Sequence, residues 1–368
     1  MAHPVLTLRE LNRATLARQL LLNRSTLPIP DAIERLVGLQ AQVPSPPYIG
    51  LWTRLRDFRR EDLTRLMDER QVVRATLMRS TLHLMTAKDY LLLRSALQPA
   101  LTRALNSFFG KRAKGLDIDR LVAAAQEYLK EPRTFGELGA LLSEIEPGRD
   151  PAALAYAART YLQMVQVPSG GSRWGYSNRP PYVTAGSWLR RSVSGSEDPR
   201  GLVLRYLAAF GPATVKDVQT WSGLVRLRGP IEEMKSELRV FHDERGNELL
   251  DLPGMPLPED LADLPAPPRF VPEYDNLVLG HADRTRVVPG EYRSSIFLSA
   301  ARVRATFLVD GFVRGTWKIE KAQRAATLVI EPFDLLAQQD RDALAEEGER
   351  LVRFVEDGAE AFEIRFAE

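Results

Sequence analysis

Two side-chain amides lie two residues apart in Gln40-Ala41-Gln42, inside an otherwise apolar stretch. A carboxamide donates and accepts but does not titrate, so the pair can hold a water and a ligand oxygen without serving as general acid or base. Ile33, Leu36, Val37 and Gln40 fall on one stripe at helical spacing, which predicts a helix with Gln40 turned inward. Gln42 faces away from that stripe and joins Gln40 only if the chain leaves the helix. Pro44 disfavours helical geometry at Val43 and predicts that departure. A helix end bordered by two amides can line a pocket. A buried, satisfied Gln40 beside an exposed neighbour fits the same pattern, and the residue types alone leave both open.

Competing chemistries have little to build on. The chain has no cysteine, which excludes thiol nucleophiles, thiolate metal sites and disulfides. Its four histidines, His3, His83, His242 and His281, are too far apart for a zinc-ligand pair, so neither metal nor cofactor is expected. No glycine-rich phosphate loop and no Ser/His/Asp arrangement occurs. Glu273 and Asp275 can form an acid/base pair, or can cap and brace the start of a domain. Arg74 and Arg79 flank a candidate hairpin that carries His83; the arginines suit phosphates or simple solvation, and the histidine suits a ligand contact or a structural role. Gly280 to Arg286 is a polar turn in which His281, Arg284 and Arg286 are either ligand contacts or ordinary surface residues.

Charge is balanced overall, 50 Lys+Arg against 48 Asp+Glu, but not along the chain. Residues 1–200 carry 29 basic and 19 acidic side chains, and residues 201–368 carry 21 and 29. The first part is therefore a plausible polyanion binder. Arg supplies 42 of the 50 basic residues, which favours bidentate contact with phosphate or reflects codon usage in a GC-rich genome. No apolar run of about 18 residues and no signal-peptide pattern occurs, so a cytoplasmic protein without membrane contact is expected.

The elements that must position these residues repeat a pattern. Helices are expected over 7–22, capped by Thr7, over 31–43, capped by Asp31, and over 60–69. A hairpin of residues 72–76 and 81–85 follows, with β-branched content. The order recurs: helices at 120–130, after Thr134, and at 151–163, then strands 165–167 and 173–176 around a Pro-Ser-Gly-Gly-Ser turn. It recurs again with helices at 199–210 and from Thr214 to about 238, and a hairpin at 239–250. Three helix-helix-hairpin units of this kind suggest tandem winged helices, which place a helix in the major groove and a wing on the backbone. A Pro-rich linker, 252–268, precedes strands expected at 277–279, 295–298, 305–309, 315–319 and 326–330, a charged helix at 334–354 and a last strand at 361–366. The expected fold is α+β: winged units over 1–110, 111–198 and 199–265, then a small β-barrel-like domain over 266–368.

Four segments carry a resemblance in the same order along nearly the whole chain: Gly38-Leu39-Gln40-Ala41-Gln42, Arg79-Ser80-Thr81-Leu82-His83-Leu84, Phe270-Val271-Pro272-Glu273-Tyr274-Asp275-Asn276, and Leu308-Val309-Asp310-Gly311-Phe312 continuing to Trp317. Together they resemble the winged-helix DNA glycosylase family of the azinomycin-resistance, crosslink-unhooking type. The resemblance implies three winged helices around a basic concave face, a monomer acting on double-stranded DNA, and excision of bulky N7-alkylated purines, including both ends of interstrand crosslinks. It assigns catalysis to Gln40 and Gln42, and makes Arg74, Arg79, His83, His281, Arg284 and Arg286 candidate DNA contacts. A sister branch has Asp at the second Gln position; Gln42 aligns this chain with the resistance branch.

The chemistry is consistent with that assignment. Two neutral amides are weak for ordinary glycoside cleavage, where paired carboxylates are usual. An N7-alkylated purine, however, is already cationic and departs neutral, so no general acid is needed. A non-enzymatic winged-helix regulator or protein-docking scaffold is the alternative, and hydrolysis of alkylated DNA without added cofactor separates the two.

Overall fold

The computed structural model describes residues 4–191, 195–256 and 258–367 of a mixed α+β chain; His3 lies outside the described residues. The first helix, Leu8–Arg18, starts where expected. Thr7 Oγ1 accepts from the Glu10 amide at 3.3 Å and Glu10 returns a bond to the Thr7 amide at 2.6 Å, a complete capping box. Capping boxes also start the helices Phe135–Ile145 at Thr134 and Val215–Ser222 at Thr214.

The helix expected to carry Gln40 is shorter than the apolar stripe implies, and has Pro28 instead of Asp31 at its N-cap position. It spans Ile29–Arg35, and the chain then reverses through Val37 (φ 53°) and Gly38 (φ 82°). The Gly38 amide reaches back to Ile33 O at 3.0 Å and the Val37 amide to Glu34 O at 3.1 Å, which closes the helix in a Schellman arrangement. A Cβ on Gly38 would lie 2.9 Å from Leu84 O, so only glycine fits. Gln40 therefore belongs to a two-residue strand, Leu39–Gln40, and not to a helix. Ile33, Leu36 and Val37 share a helical spacing because all three are buried around a helix terminus. Beyond Pro44, where the sequence predicts no element before residue 60, lies a helix, Pro46–Arg54, whose prolines occupy the first turn where no amide donor is missed.

Hairpin Val72–Thr76 and Leu82–Thr86 forms as expected. It does not stand free as a wing. Its strands join one sheet in the order Leu39–Gln40, Leu82–Thr86, Val72–Thr76, Met164–Gln166, Tyr182–Thr184, so the first two units share their strands. Residues 173–176 are a turn, not the expected strand, because Gly171 and Gly175 both take positive φ there; the partner of Met164–Gln166 is Tyr182–Thr184. The third hairpin, Arg239–Asp243 with Glu248–Asp251, takes Val5–Leu6 as a parallel third strand.

The C-terminal strands form an open five-stranded sheet in the order Ala361–Phe366, Ala325–Pro332, Phe312–Ala322, Thr306–Val309, Arg269–Val271. Its outer strands do not pair with each other, so the expected barrel is not closed. Helix Gln338–Val355 covers one face, burying Leu344, Leu351 and Val352 against Phe270, Leu328 and Ile330. The strands expected at 277–279 and 295–298 are short helices, Asn276–Leu279 and Arg293–Ile296; apolar runs this short do not distinguish the two states.

Buried ion pairs tie the N-terminal helices to distant segments. Arg18 makes two bonds to Asp251, at 2.7 and 2.8 Å. Arg54 grips Asp275 with two bonds of 2.8 Å, and also donates to Gln19 O and Gly50 O at 2.9 Å. Removing one partner of such a pair strands a buried charge, whereas replacing both with apolar groups does not. Asp275→Ala is expected to lower unfolding free energy by about 3 kcal/mol or more in urea titrations, and Arg54→Met combined with Asp275→Leu to recover much of that loss. An Asp275→Ala chain as stable as the parent would show that the pair is not structural.

Candidate active site

Gln40 is held from both sides. Its backbone pairs with His83 in the adjacent strand, and the next amide, Ala41 N, donates to Leu82 O at 2.7 Å. Its side chain is buried, and Oε1 accepts from Arg79 Nη2 at 2.7 Å. That bond fixes the amide: the oxygen faces the guanidinium, and Nε2, a donor, faces away from it. Gln42 is exposed, and its Oε1 takes only a long 3.4 Å contact from the Leu82 amide. The pair therefore consists of one oriented amide and one available amide.

Arg79 is the part of this arrangement with the most constrained backbone. It and Ser80 are both left-handed (φ 54° and 57°) in the tight turn Met78–Ser80, an unfavourable state for non-glycine residues. The guanidinium spans from Gln40 to Trp221 O, 2.5 Å away at the C-terminal end of helix Val215–Ser222. Carbonyls at a helix C-terminus favour a cation. Burial, and then Arg284, push the Arg79 guanidinium down to about 10, so it remains charged at neutral pH. Among the described residues it makes no ion pair.

The other candidate residues sort by burial. Arg74 is buried, donating to Ala41 O at 2.8 Å and Gln42 O at 3.2 Å with its guanidinium over the Tyr176 ring, so it braces the amide segment and is not placed to meet a phosphate. His83 is fully buried; Nδ1 donates to Thr81 O at 3.1 Å, Nε2 has no partner among the described residues, and burial, followed by the Arg79 charge, lowers its pKa to about 3. His281 is likewise buried, its Nε2 bonded to Phe210 O at 3.0 Å, with a pKa depressed by burial and by Arg286. Arg286 is buried and donates to Pro212 O at 3.0 Å. Of the turn at 280–286, Arg284 alone among the candidates is partly exposed; it stacks on Phe297 at 4.0 Å, and burial and the nearby Arg293 lower its pKa.

The carboxylate pair divides in the same way. Asp275 is committed to Arg54 and caps the Leu277 amide at 2.9 Å, so it is a brace. Glu273 is exposed at the edge of a cleft of about 10 Å³ that Gln40, Gln19 and Asn276 also line, and partial desolvation raises its pKa. Asn276 Nδ2 donates to Gly38 O at 2.9 Å, linking the C-terminal module to the residue that launches the Gln40 strand. Sequence reasoning did not single out that contact, although Asn276 closes the motif in which Asp275 was noticed. Gln42 opens on the other side, onto a cavity of about 530 Å³.

Neutral His83 has a consequence for stability. Its folded pKa, about 3, lies below the ordinary 6.5, so the unfolded chain binds more protons between those values. Stability is expected to be fully present above about pH 6.5 and to fall as pH drops towards about 3. Urea midpoints at pH 7 and pH 4.5 measure the drop, and His83→Gln should shrink it; an equal drop in the variant would remove His83 from the account.

Residues 33–354 match the model of the family described as DNA glycosylase AlkZ-like. The chain is 26% identical over 350 residues to the interstrand DNA cross-link repair glycosylase of Streptomyces sahachiroi, covering 86% of this chain and 88% of that one. Its fold superposes on the solved DNA glycosylase AlkZ of Streptomyces sahachiroi with a TM-score of 0.80 at 22% identity, covering 99% of this chain and all of the other. With a family match that spans both amides, the locked Asp275-Asn276 segment and most of the C-terminal sheet, this chain belongs to the AlkZ-like DNA glycosylases.

Proposed function

We propose that the chain is a monomeric, cytoplasmic, monofunctional glycosylase that removes N7-alkylated purines, bulky and crosslinked ones included, from double-stranded DNA. The observation that carries this reading is the fixed orientation of Gln40 by Arg79, two residues before the exposed amide of Gln42. Gln40 presents a donor to a sugar or phosphate oxygen, and Gln42 accepts from a water aimed at the anomeric carbon. The relative from Streptomyces sahachiroi is named for cross-link repair, which supports the substrate class. The three helix-hairpin groups act as winged helices on the duplex, over 1–110, 111–198 and 199–265, with residues 266–368 as the fourth module.

The energetic division of labour follows from charge. A purine alkylated at N7 leaves as a neutral base, so the enzyme need only expose the nucleotide, at a cost of a few kcal/mol, and orient water. A carboxylate would add stabilisation of the positive sugar in the transition state; with amides alone, the substrate must supply the lability. Arg74, His83, His281 and Arg286 support the site from within, while Arg79 and Arg284 supply positive charge beside it.

Gln40→Ala and Gln42→Ala should each slow excision of N7-methylguanine by about 10²-fold, the scale of one positioned catalytic group, and the double variant should lose less than the product of the two. Full activity in a folded double variant removes the assignment. The product should be an intact abasic strand, without borohydride-trappable adduct, and uracil should be excised far more slowly than the cationic base. Trapping, or uracil excised equally fast, would overturn direct hydrolysis of a charged base.

DNA binding gives an independent check. Arg284→Ala should weaken binding to all duplex sequences alike and reduce the salt slope by about 1, the value for one phosphate contact. Arg74→Ala should instead lower stability and leave the slope in place; a slope that falls for Arg74→Ala and not for Arg284→Ala would reverse the two roles.

A further inference from the structure

The cavity on the Gln42 side is far larger than a methyl group requires. At about 530 Å³ it has the size of a small-molecule site. Its rim is Gln42, Val43 and Pro44, and it extends between the end of the first sheet and the second helical unit, where Phe135 and Tyr182 line it. Three arginines, Arg74, Arg159 and Arg179, reach the lining and no carboxylate does. Arg74 is spent on Ala41 and Gln42, but Arg179 is exposed, and Arg159 lies against the Phe135 ring at 5.1 Å. Gln166, buried in the same wall, donates through Nε2 to Tyr182 Oη at 2.7 Å and so fixes the position of the Tyr182 ring.

Chemistry connects this cavity to the scissile bond. N7 and N9 of a purine are both bonded to C8, so the first atom of a group on N7 lies three bonds from the nitrogen that must leave the sugar. Whatever is attached to N7 therefore extends from beside the amides that act at the anomeric carbon, and Gln42 belongs to both places. We infer that the cavity receives the substituent on N7, and that it selects a planar aromatic group carrying carbonyl acceptors for Arg159 and Arg179, and no positive charge. This rests on the reading of the chain as an N7-alkylpurine glycosylase.

The test compares single-turnover excision from duplexes carrying N7-methylguanine, an N7 adduct with an aromatic amide group, and the same adduct bearing an ammonium in place of its carbonyl. The parent chain should prefer the amide adduct to the ammonium one. Phe135→Ala and Arg179→Ala should each slow release of the aromatic amide adduct by about 10-fold or more, the scale of lost pocket contacts, with N7-methylguanine unaffected. Arg179→Glu should reverse the charge preference. Equal losses on methyl and aromatic adducts, or weaker binding to undamaged duplex, would overturn the inference and make the cavity a general DNA contact. Absence of N7-methylguanine excision by the parent chain would instead sink the underlying reading, before any variant is made.

Discussion

The bond pair between Arg54 and Asp275 is the constraint on which the site depends. Arg54 ends the helix Pro46–Arg54 that follows the amides, and Asp275 opens the short helix of the C-terminal module. Joined, they hold Asn276 against Gly38 O, and Gly38 is the residue whose left-handed backbone turns the chain out of a helix and into the Gln40 strand. The amide segment is thus braced by a residue more than two hundred positions away in sequence. A buried ion pair is weak evidence for stability by itself; here it specifies where two modules meet.

The contacts around the amides are drawn from segments spread along the chain. The amides sit near the N-terminus, Arg79 in the first hairpin, Trp221 O in the third group, and Asn276 beyond the linker. Each contact comes from a different part of the chain, so the site forms only when all modules are docked. The shared sheet of the first two groups and the Val5–Leu6 strand on the third hairpin enforce the same docking through backbone bonds. Arg79, charged and without an ion pair among the described residues, then places positive charge beside an amide instead of beside a carboxylate. Such a site suits binding a polyanion and cleaving a bond whose leaving group is already activated.

Local signals were legible in the sequence, and long-range ones were not. Thr7, Thr134 and Thr214 announce their helices because a capping box lies within four residues. Hairpin 72–86 and the Asp310-Gly311 turn, with both residues at positive φ, are equally local. The stripe of Ile33, Leu36, Val37 and Gln40 misled because burial by distant modules mimics helical periodicity, while the terminating feature was a β-branched residue, Val37, in a left-handed state that propensity disfavours. The merging of two hairpins into one sheet and the open C-terminal sheet depend on pairings between segments far apart, which no local pattern encodes. At the site, the family resemblance and not residue type singled out the amides, and the arginines and histidines chosen as DNA contacts are mostly buried, because burial is decided by packing and not by polarity.

In the function proposed above, Gln40 acts through a position imposed by the C-terminal module. A double-mutant cycle between Asn276→Leu and Gln40→Ala, read as single-turnover release of N7-methylguanine from folded protein, tests it directly. Asn276→Leu should slow the parent chain by about 10-fold and leave the Gln40→Ala chain almost unchanged, since there is no longer an amide to misplace. An equal loss in both backgrounds would mean that Asn276 serves the fold alone and that the position of Gln40 does not depend on it.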